Sequence, residues 1–360
     1  MSHALDGGRP LRIALVAPLH ESVPPKLYGG TERVVSYLTE ELVRQGHRVA
    51  LFATGDSQTA AELRPMWPRG LRLDPGCRDP LAPHVTMLHD VIESADEFDI
   101  VHFHIDYLHF AAARLLRLNC VTTLHGRLDN PELAPLYRRH SDMPVVSISQ
   151  SQRAPLPWAR WVGTVHHGLP PQLLKPGRGN GGYVAFVGRM SREKRPDRAI
   201  RIARRAGIPL KIAAKVEKCD VEYFESVVKP MLRGTGVEFV GEIDERQKQA
   251  FLGNAAALLF PIDWPEPFGL VMIEALACGT PVIAFPCGSV PEIIRDDVDG
   301  RIVTSEDEGV AALQAIDRID RATCRHSFDT LFTADRMARD YVALYRDLIA
   351  RASPMSLVAA

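Results

Sequence analysis

Two glutamates with seven residues between them frame the segment of this chain that carries the most chemistry. Residues 256–285 read AALLFPIDWPEPFGLVMIEALACGTPVIAF. The apolar run Ala256–Phe260 predicts a buried strand, and the Pro-rich loop after it presents Glu266. Pro267-Phe268-Gly269 then leads into a helix that starts near Leu270 and stops at Gly279-Thr280-Pro281, ahead of a strand at Val282–Phe285. The amides of Gly269, Leu270 and Val271 have no acceptor inside such a helix. Together with the positive end of its dipole they suit a phosphate. Glu274 lies about one turn further in, where its charge would repel that phosphate but could accept hydrogen bonds from a ribose diol. A bare pair of carboxylates reads as solvated surface. Glu274, however, stands in the apolar stretch Leu270–Ala277, where an unpartnered buried charge is costly.

Three further groupings could take part. Residues 186–197, FVGRMSREKRPD, follow an apolar run and place Arg189 and Lys194 in one loop. Two cations there can neutralise a diphosphate as a bond to it breaks, although a solvated basic loop fits the pattern equally well. Residues 28–32, YGGTE, hold Gly29 and Gly30 just before a predicted helix; the pair lets backbone approach a ligand, and a plain turn explains it too. His125 ends an apolar run at Thr123-Leu124-His125-Gly126, a place where a lone histidine is usually structural. His102, His104 and His109 in VHFHIDYLHF show no third metal ligand by spacing, so packing at a strand end is favoured. The Asp296-Asp297 and Asp299 run lies in a polar turn and not in a metal-presenting loop.

EPFGLVMIE, with its continuation ALACGTPVIA, resembles the E-x7-E motif of the family 4 retaining glycosyltransferases. The resemblance is strongest from Tyr183 to Val303 and extends more loosely to both ends. It implies a GT-B fold, two Rossmann-like doubly wound α/β domains facing across a cleft, and transfer of a hexose from a UDP- or GDP-linked donor with retention. It implies that Arg189, Lys194 and Gly30 hold the donor phosphates with the helix start at Gly269, Leu270 and Val271. Glu274 and Phe268 would serve the ribose and sugar, Glu266 and His125 the catalytic centre, and Gly29 and Glu32 the acceptor side. Glu266 would orient the sugar hydroxyls, with the leaving diphosphate taking the acceptor's proton in a front-face attack. No metal and no cofactor is expected, since fixed cations supply the positive charge. The family often places Gly after the Lys of this loop; here Arg195-Pro196 stands instead. His166-His167-Gly168 stands where relatives often show Asn-Gly. An epimerase or phosphorylase of the same fold, and a non-catalytic nucleotide-sugar binder, remain the alternatives. A phosphorylase would need pyridoxal phosphate on a lysine, and neither Lys194 nor Lys215 carries that signature.

The elements that must position these residues alternate along the chain. Leu11–Ala17, Arg48–Ala53, Ile100–Phe103, Val121–Leu124 and Val145–Ile148 predict strands, with a helix over Thr31–Gln45. Asp56–Pro83, rich in Pro, Gly and Arg, defies assignment. Leu169–Gly182 carries three prolines and four glycines and predicts a linker. The alternation then restarts with strands at Tyr183–Val187, Leu210–Ala214, Val237–Val240, Ala256–Phe260 and Val282–Phe285, and a helix over Pro196–Ala206. The expected plan is an acceptor-binding domain over 1–168, a linker over 169–182 and a nucleotide-sugar domain over 183–333. The helix 334–351 would return to the first domain.

A length of 360 residues exceeds what one core usually serves, in keeping with two domains. A net charge of −1, from 43 basic and 44 acidic side chains, and sparse aromatics exclude a chain built to coat nucleic acid. Six cysteines without a CxxC pair give no zinc ribbon or redox motif. Met1–Pro10 lacks a signal-peptide pattern and no apolar run reaches membrane-spanning length, which points to the cytoplasm and leaves peripheral membrane docking open. The expected partners are a nucleotide-sugar donor and a carbohydrate, lipid-linked or small-molecule acceptor.

Overall fold

The structure, a computed structural model, describes residues 9–26 and 29–352. Tyr28, the first residue of the YGGTE motif, lies outside the described residues. The chain divides into two compact units. The first takes in residues up to Ile148, Arg153–Gly168 and the chain from Ala334 onward; the second comprises Ser149–Gln152 and Leu169–Thr333.

The first unit is built on a parallel sheet. Its strands are β1 (Arg12–Val16), β2 (Arg48–Thr54), β3 (Glu62–Trp67), β4 (Ile100–Phe103), β5 (Cys120–Thr123), β6 (Val145–Ser147) and β7 (Trp161–Thr164). They lie in the order β3-β2-β1-β4-β5-β6-β7. Ile13, Leu15, Val16, Leu51, Ile100 and Phe103 have almost no exposure, as strands covered by helices on both faces require. The stretch that defied assignment holds β3, an edge strand of half-exposed residues interrupted by Pro65. The edge is where a sheet tolerates proline. The final helix, Ala334–Ala352, packs Met337, Tyr341, Tyr345 and Leu348 into this unit. Its Leu344 comes so close to Gly163 of β7 that a Cβ there would stand 2.7 Å from the leucine methyl.

The second unit repeats the plan. Strands β8 (Val184–Arg189), β9 (Leu210–Lys215), β10 (Val237–Gly241), β11 (Leu258–Phe260), β12 (Val282–Ala284) and β13 (Gly300–Ile302) pair in parallel in the order β10-β9-β8-β11-β12-β13. In both sheets the strand order reverses beside the first strand, between β1 and β4 and between β8 and β11. Such a switch point parts the loops leaving two neighbouring strands and opens a crevice at their carboxyl ends.

Leu169–Gly182, expected to be an inter-domain linker, belongs instead to the second unit. Gly177 packs backbone to backbone on Gly253; a Cβ on Gly177 would lie 2.1 Å from the Gly253 carbonyl oxygen. Arg321 donates to the carbonyls of Gly177, Gly253, Ala255 and Cys278, and Arg325 donates to those of Pro171, Leu174 and Ala277. Each guanidinium thereby satisfies carbonyls that a helix end would leave bare. Gly177, Gly179 and Gly181 thus serve close packing against this unit, a use of glycine that composition does not distinguish from a linker.

Candidate functional site

The second unit gathers its chemistry at the β8/β11 switch point. Arg189 ends β8, and Lys194 follows in the loop to the helix Pro196–Ala206; Glu266 stands in the loop after β11. Parallel strand order therefore makes neighbours of residues 72 positions apart, and Lys194 Nζ is bonded directly to Glu266 Oε2. Trp264 Nε1 donates to the same oxygen at 3.0 Å. The ammonium lies 5.1 Å from the Trp264 ring centroid and 5.6 Å from that of Phe260, so aromatic faces back the ion pair. Both side chains are largely buried, which strengthens their mutual dependence.

Arg189 is also engaged. It donates to Glu193 at 3.1 Å and forms an ion pair with Asp220 at 3.0 Å, beside a recess lined by Ser191, Arg192 and Tyr223. The two cations expected at a diphosphate thus both rest on carboxylates, and an arriving anion must exchange for those partners. Arg195 takes the left-handed conformation at φ 54°. That is the backbone state a glycine adopts freely, so replacing glycine by arginine leaves the loop shape open to this chain. The strain is offset by ion pairs from Arg195 to Asp197 and to Asp263.

Gly269 caps the helix Leu270–Ala277 with φ +82°, and Phe268 is buried beneath the loop. Among the described residues, nothing accepts from the amides of Gly269, Leu270 or Val271. Glu274 is 3% exposed and accepts from Lys248 Nζ at 2.7 Å. The buried charge whose partner the sequence left unnamed is therefore neutralised by a lysine from the helix Glu245–Gly253.

A second loop props up Glu266. Gly288 has φ +60°, and a Cβ on it would stand 2.3 Å from both the nitrogen and the oxygen of Glu266. Ser289 donates from its amide to the Glu266 carbonyl at 3.0 Å and from its hydroxyl to the Phe268 carbonyl at 2.7 Å. Gly288→Ala should therefore lower Tm by roughly 5–10 °C, because backbone cannot yield and the conformation is strained. Gly269→Ala should cost less than half of that. Its closest obstacle, at 2.8 Å, is the flexible end of Met272. Thermal unfolding of the two variants checks the ranking, and equal shifts would refute it.

The first unit holds the remaining expected residues. Gly29 is buried at the start of the helix Gly30–Arg44, and a Cβ on it would meet Pro25 at 2.8 Å and Glu32 at 3.0 Å. Gly30 is exposed as the first helical residue. Glu32 is buried, and desolvation holds its carboxyl above the usual carboxylate range; the Arg72 guanidinium opposes this and the Glu21 carboxylate adds to it. His125 follows β5 and is half-buried, its Nε2 2.8 Å from Nδ1 of His104. Its ring stacks on His167 with centroids 5.4 Å apart. Burial pushes the His125 imidazole down to about 3, so it is neutral at physiological pH. His102 and His104 pack at the strand end, and no group of three metal-ligating side chains suited to a metal occurs among the described residues. Asp299 is fully buried and receives hydrogen bonds from Arg295, which gives it a structural task in its turn.

Two family models match the chain in tandem. The model described as Glycosyltransferase Family 4 covers residues 28–186, and that described as Glycosyl transferases group 1 covers residues 175–322. The chain belongs to the family 4 glycosyltransferases. Its fold is GT-B: AviGT4, a glycosyltransferase involved in avilamycin A biosynthesis, superposes with a TM-score of 0.72 at 25% identity, over 95% of this chain and 99% of that one. Anabaena Alr3699/HepE, solved in complex with UDP-glucose, gives 0.70 at 16% identity over 94% and 100%. The D-inositol 3-phosphate glycosyltransferase of Mycolicibacterium smegmatis is 28% identical over 214 residues, 53% of this chain and 49% of that protein. The chain spans about half the length of the curated relatives it matches.

Several residues of this candidate site gave no signal in the sequence. Lys248 sits in the polar helix segment ERQKQAFLG, where a lysine reads as solvated. Trp264 was visible in the DWPEP loop, but nothing there shows its indole reaching Glu266. Gly288 and Ser289 lie one strand further on, and only the neighbouring of β11 and β12 brings them under Glu266.

Proposed function

We propose that this chain is a retaining hexosyltransferase that takes its sugar from a nucleoside-diphosphate donor and passes it to a hydroxyl acceptor. The observation that carries the reading is the Lys194–Glu266 pair beside a helix start with unused amides. A donor diphosphate can take the lysine and the amides together, which releases the Glu266 carboxylate toward the sugar. The complex of Alr3699/HepE with UDP-glucose supports a uridine donor, and GDP-linked sugars remain within the reading. Glu274 and Phe268 serve the ribose and sugar. In this proposal His125 serves the sugar, Gly30 the phosphates, and Gly29 and Glu32 the acceptor. As the glycosidic bond breaks, positive charge grows on the sugar and negative charge on the leaving phosphate. Arg189, Lys194 and the helix dipole stabilise the second. The phosphate then takes the proton of the attacking hydroxyl on the same face. No helix is long and apolar enough to cross a membrane among the described residues, and the proposed setting is the cytoplasm.

The test is to titrate UDP, GDP and ADP calorimetrically, then to incubate the matching sugar nucleotides with carbohydrate, lipid-linked and small-molecule acceptors. Release of nucleoside diphosphate together with an α-linked product from an α-linked donor supports the reading. An inverted product, an epimerised donor, or binding without turnover replaces it with another activity of the fold. Activity is further expected to survive EDTA with less than about a twofold change, because fixed cations supply the charge that Mg²⁺ would otherwise bring. Loss with chelator and recovery with Mg²⁺ or Mn²⁺ would overturn that.

A further inference from the structure

The first unit buries a chain of imidazoles behind His125. β4 and β5 are neighbours in register, with Phe103 beside Thr122, so the residues after each strand, His104 and His125, come together. His104 is 3% exposed, and its amide donates to the Val16 carbonyl at 2.9 Å. The His102 ring lies behind it, with centroids 4.0 Å apart. His102 is itself fixed between Tyr345 Oη at 2.6 Å and Thr123 Oγ1 at 2.7 Å, and Thr123 is tied to Tyr341 Oη at 2.8 Å. Two tyrosines of the final helix therefore hold the ring against which His104 rests.

One hydrogen bond joins His104 Nδ1 and His125 Nε2, and both rings are neutral because burial disfavours their charged forms. A single proton can lie on that line. If His125 donated it, His104 would carry its own proton on Nε2, and that atom is buried with no partner among the described residues. A buried N–H without an acceptor costs more than a bare lone pair. The proton therefore belongs to His104 Nδ1. His125 accepts it at Nε2 and carries its own proton on Nδ1, on a ring that is only half-buried and so open to water.

We infer that His104 is a positioning residue that locks His125 in the Nδ1–H tautomer, so that His125 offers a hydrogen-bond donor, not an acceptor, to a sugar hydroxyl or ring substituent. The inference rests on the proposed placement of His125 at the donor sugar only for its catalytic consequence; the tautomer is carried by the His104–His125 hydrogen bond and the buried Nε2 of His104.

Ring-labelled ¹⁵N-histidine spectra of the protein test it, with His125→Gln used to assign the resonance. The expected result is a protonated Nδ1 and a bare Nε2 in His125. His104→Leu should mix the two tautomers and lower kcat at least about tenfold, with donor KM within about twofold. His104→Asn, whose amide nitrogen stands near the place of Nδ1, should restore both the spectrum and most of kcat. A protonated Nε2 on His125 in the parent protein overturns the inference, and so does an unchanged His125 spectrum in His104→Leu. If His104→Leu does not fold, the parent spectrum and His104→Asn still decide. A parent protein without transferase activity would refute the proposed function and leave the tautomer result to be read by itself.

Discussion

Glu266→Gln is expected to cut turnover about 100-fold while leaving the affinity for bare nucleoside diphosphate unchanged or slightly tighter. Glutamine keeps the size of the side chain and can still accept from Trp264 Nε1. It loses the charge that answers the developing positive charge on the sugar, an interaction that strengthens only in the transition state. It also releases Lys194 from its carboxylate, so the diphosphate no longer competes for that cation. Glu274→Gln should behave in the opposite way. It strips Lys248 of its buried partner and removes the acceptor proposed for the ribose, so diphosphate and sugar nucleotide should both bind about tenfold more weakly. Calorimetry and steady-state rates on the two variants distinguish the roles. If Glu266→Gln loses diphosphate affinity and keeps its turnover, the sugar lies elsewhere.

The second large effect is expected at the cations. Lys194→Ala should weaken nucleoside diphosphate by about 1.5–3 kcal/mol, roughly 10–150-fold, as the loss of a charge-assisted contact. Glu266 would also be left buried without its cation, which adds a penalty to the unliganded site. Arg189→Ala should act in the same direction with a smaller effect. Its side chain is 37% exposed and already shared between Glu193 and Asp220, so part of its contribution is screened by solvent. Binding of the uncharged nucleoside provides the control and should not change. Unaltered diphosphate affinity in both variants would remove Arg189 and Lys194 from the site.

Much of this site could be read before any coordinates, because its signals are local. A strand, a loop carrying Glu266 and a helix start follow one another within about fifteen residues, and the structure has β11, the loop and the helix Leu270–Ala277 in that order. Buried central strands such as β1 and β4 announce themselves as unbroken apolar runs. The edge strands β3 and β7 do not, since each is half-exposed and carries polar or breaker residues; β13 is only three residues long. What the sequence could not show were pairings that depend on strand order. Lys194 and Glu266 were named for separate tasks, phosphate and sugar, and only the β8/β11 neighbourhood reveals that each is the other's partner. Lys248, Gly288 and the His104–His125 bond escaped for the same reason.

The final helix gives the two units different histories on the ribosome. The second unit is an almost unbroken stretch, Leu169–Thr333, and is complete before the last helix has been made. The first unit begins earlier but needs Tyr341 and Tyr345 to close its core over His102 and Thr123. At roughly 5–20 residues per second, its sheet waits on the order of ten seconds for that helix to emerge. The nascent first unit thus leaves apolar surface uncovered while its C-terminal neighbour is already folding. Early release of the chain, or a stop codon before Ala334, should send this protein toward chaperones and aggregation through the half that was synthesised first.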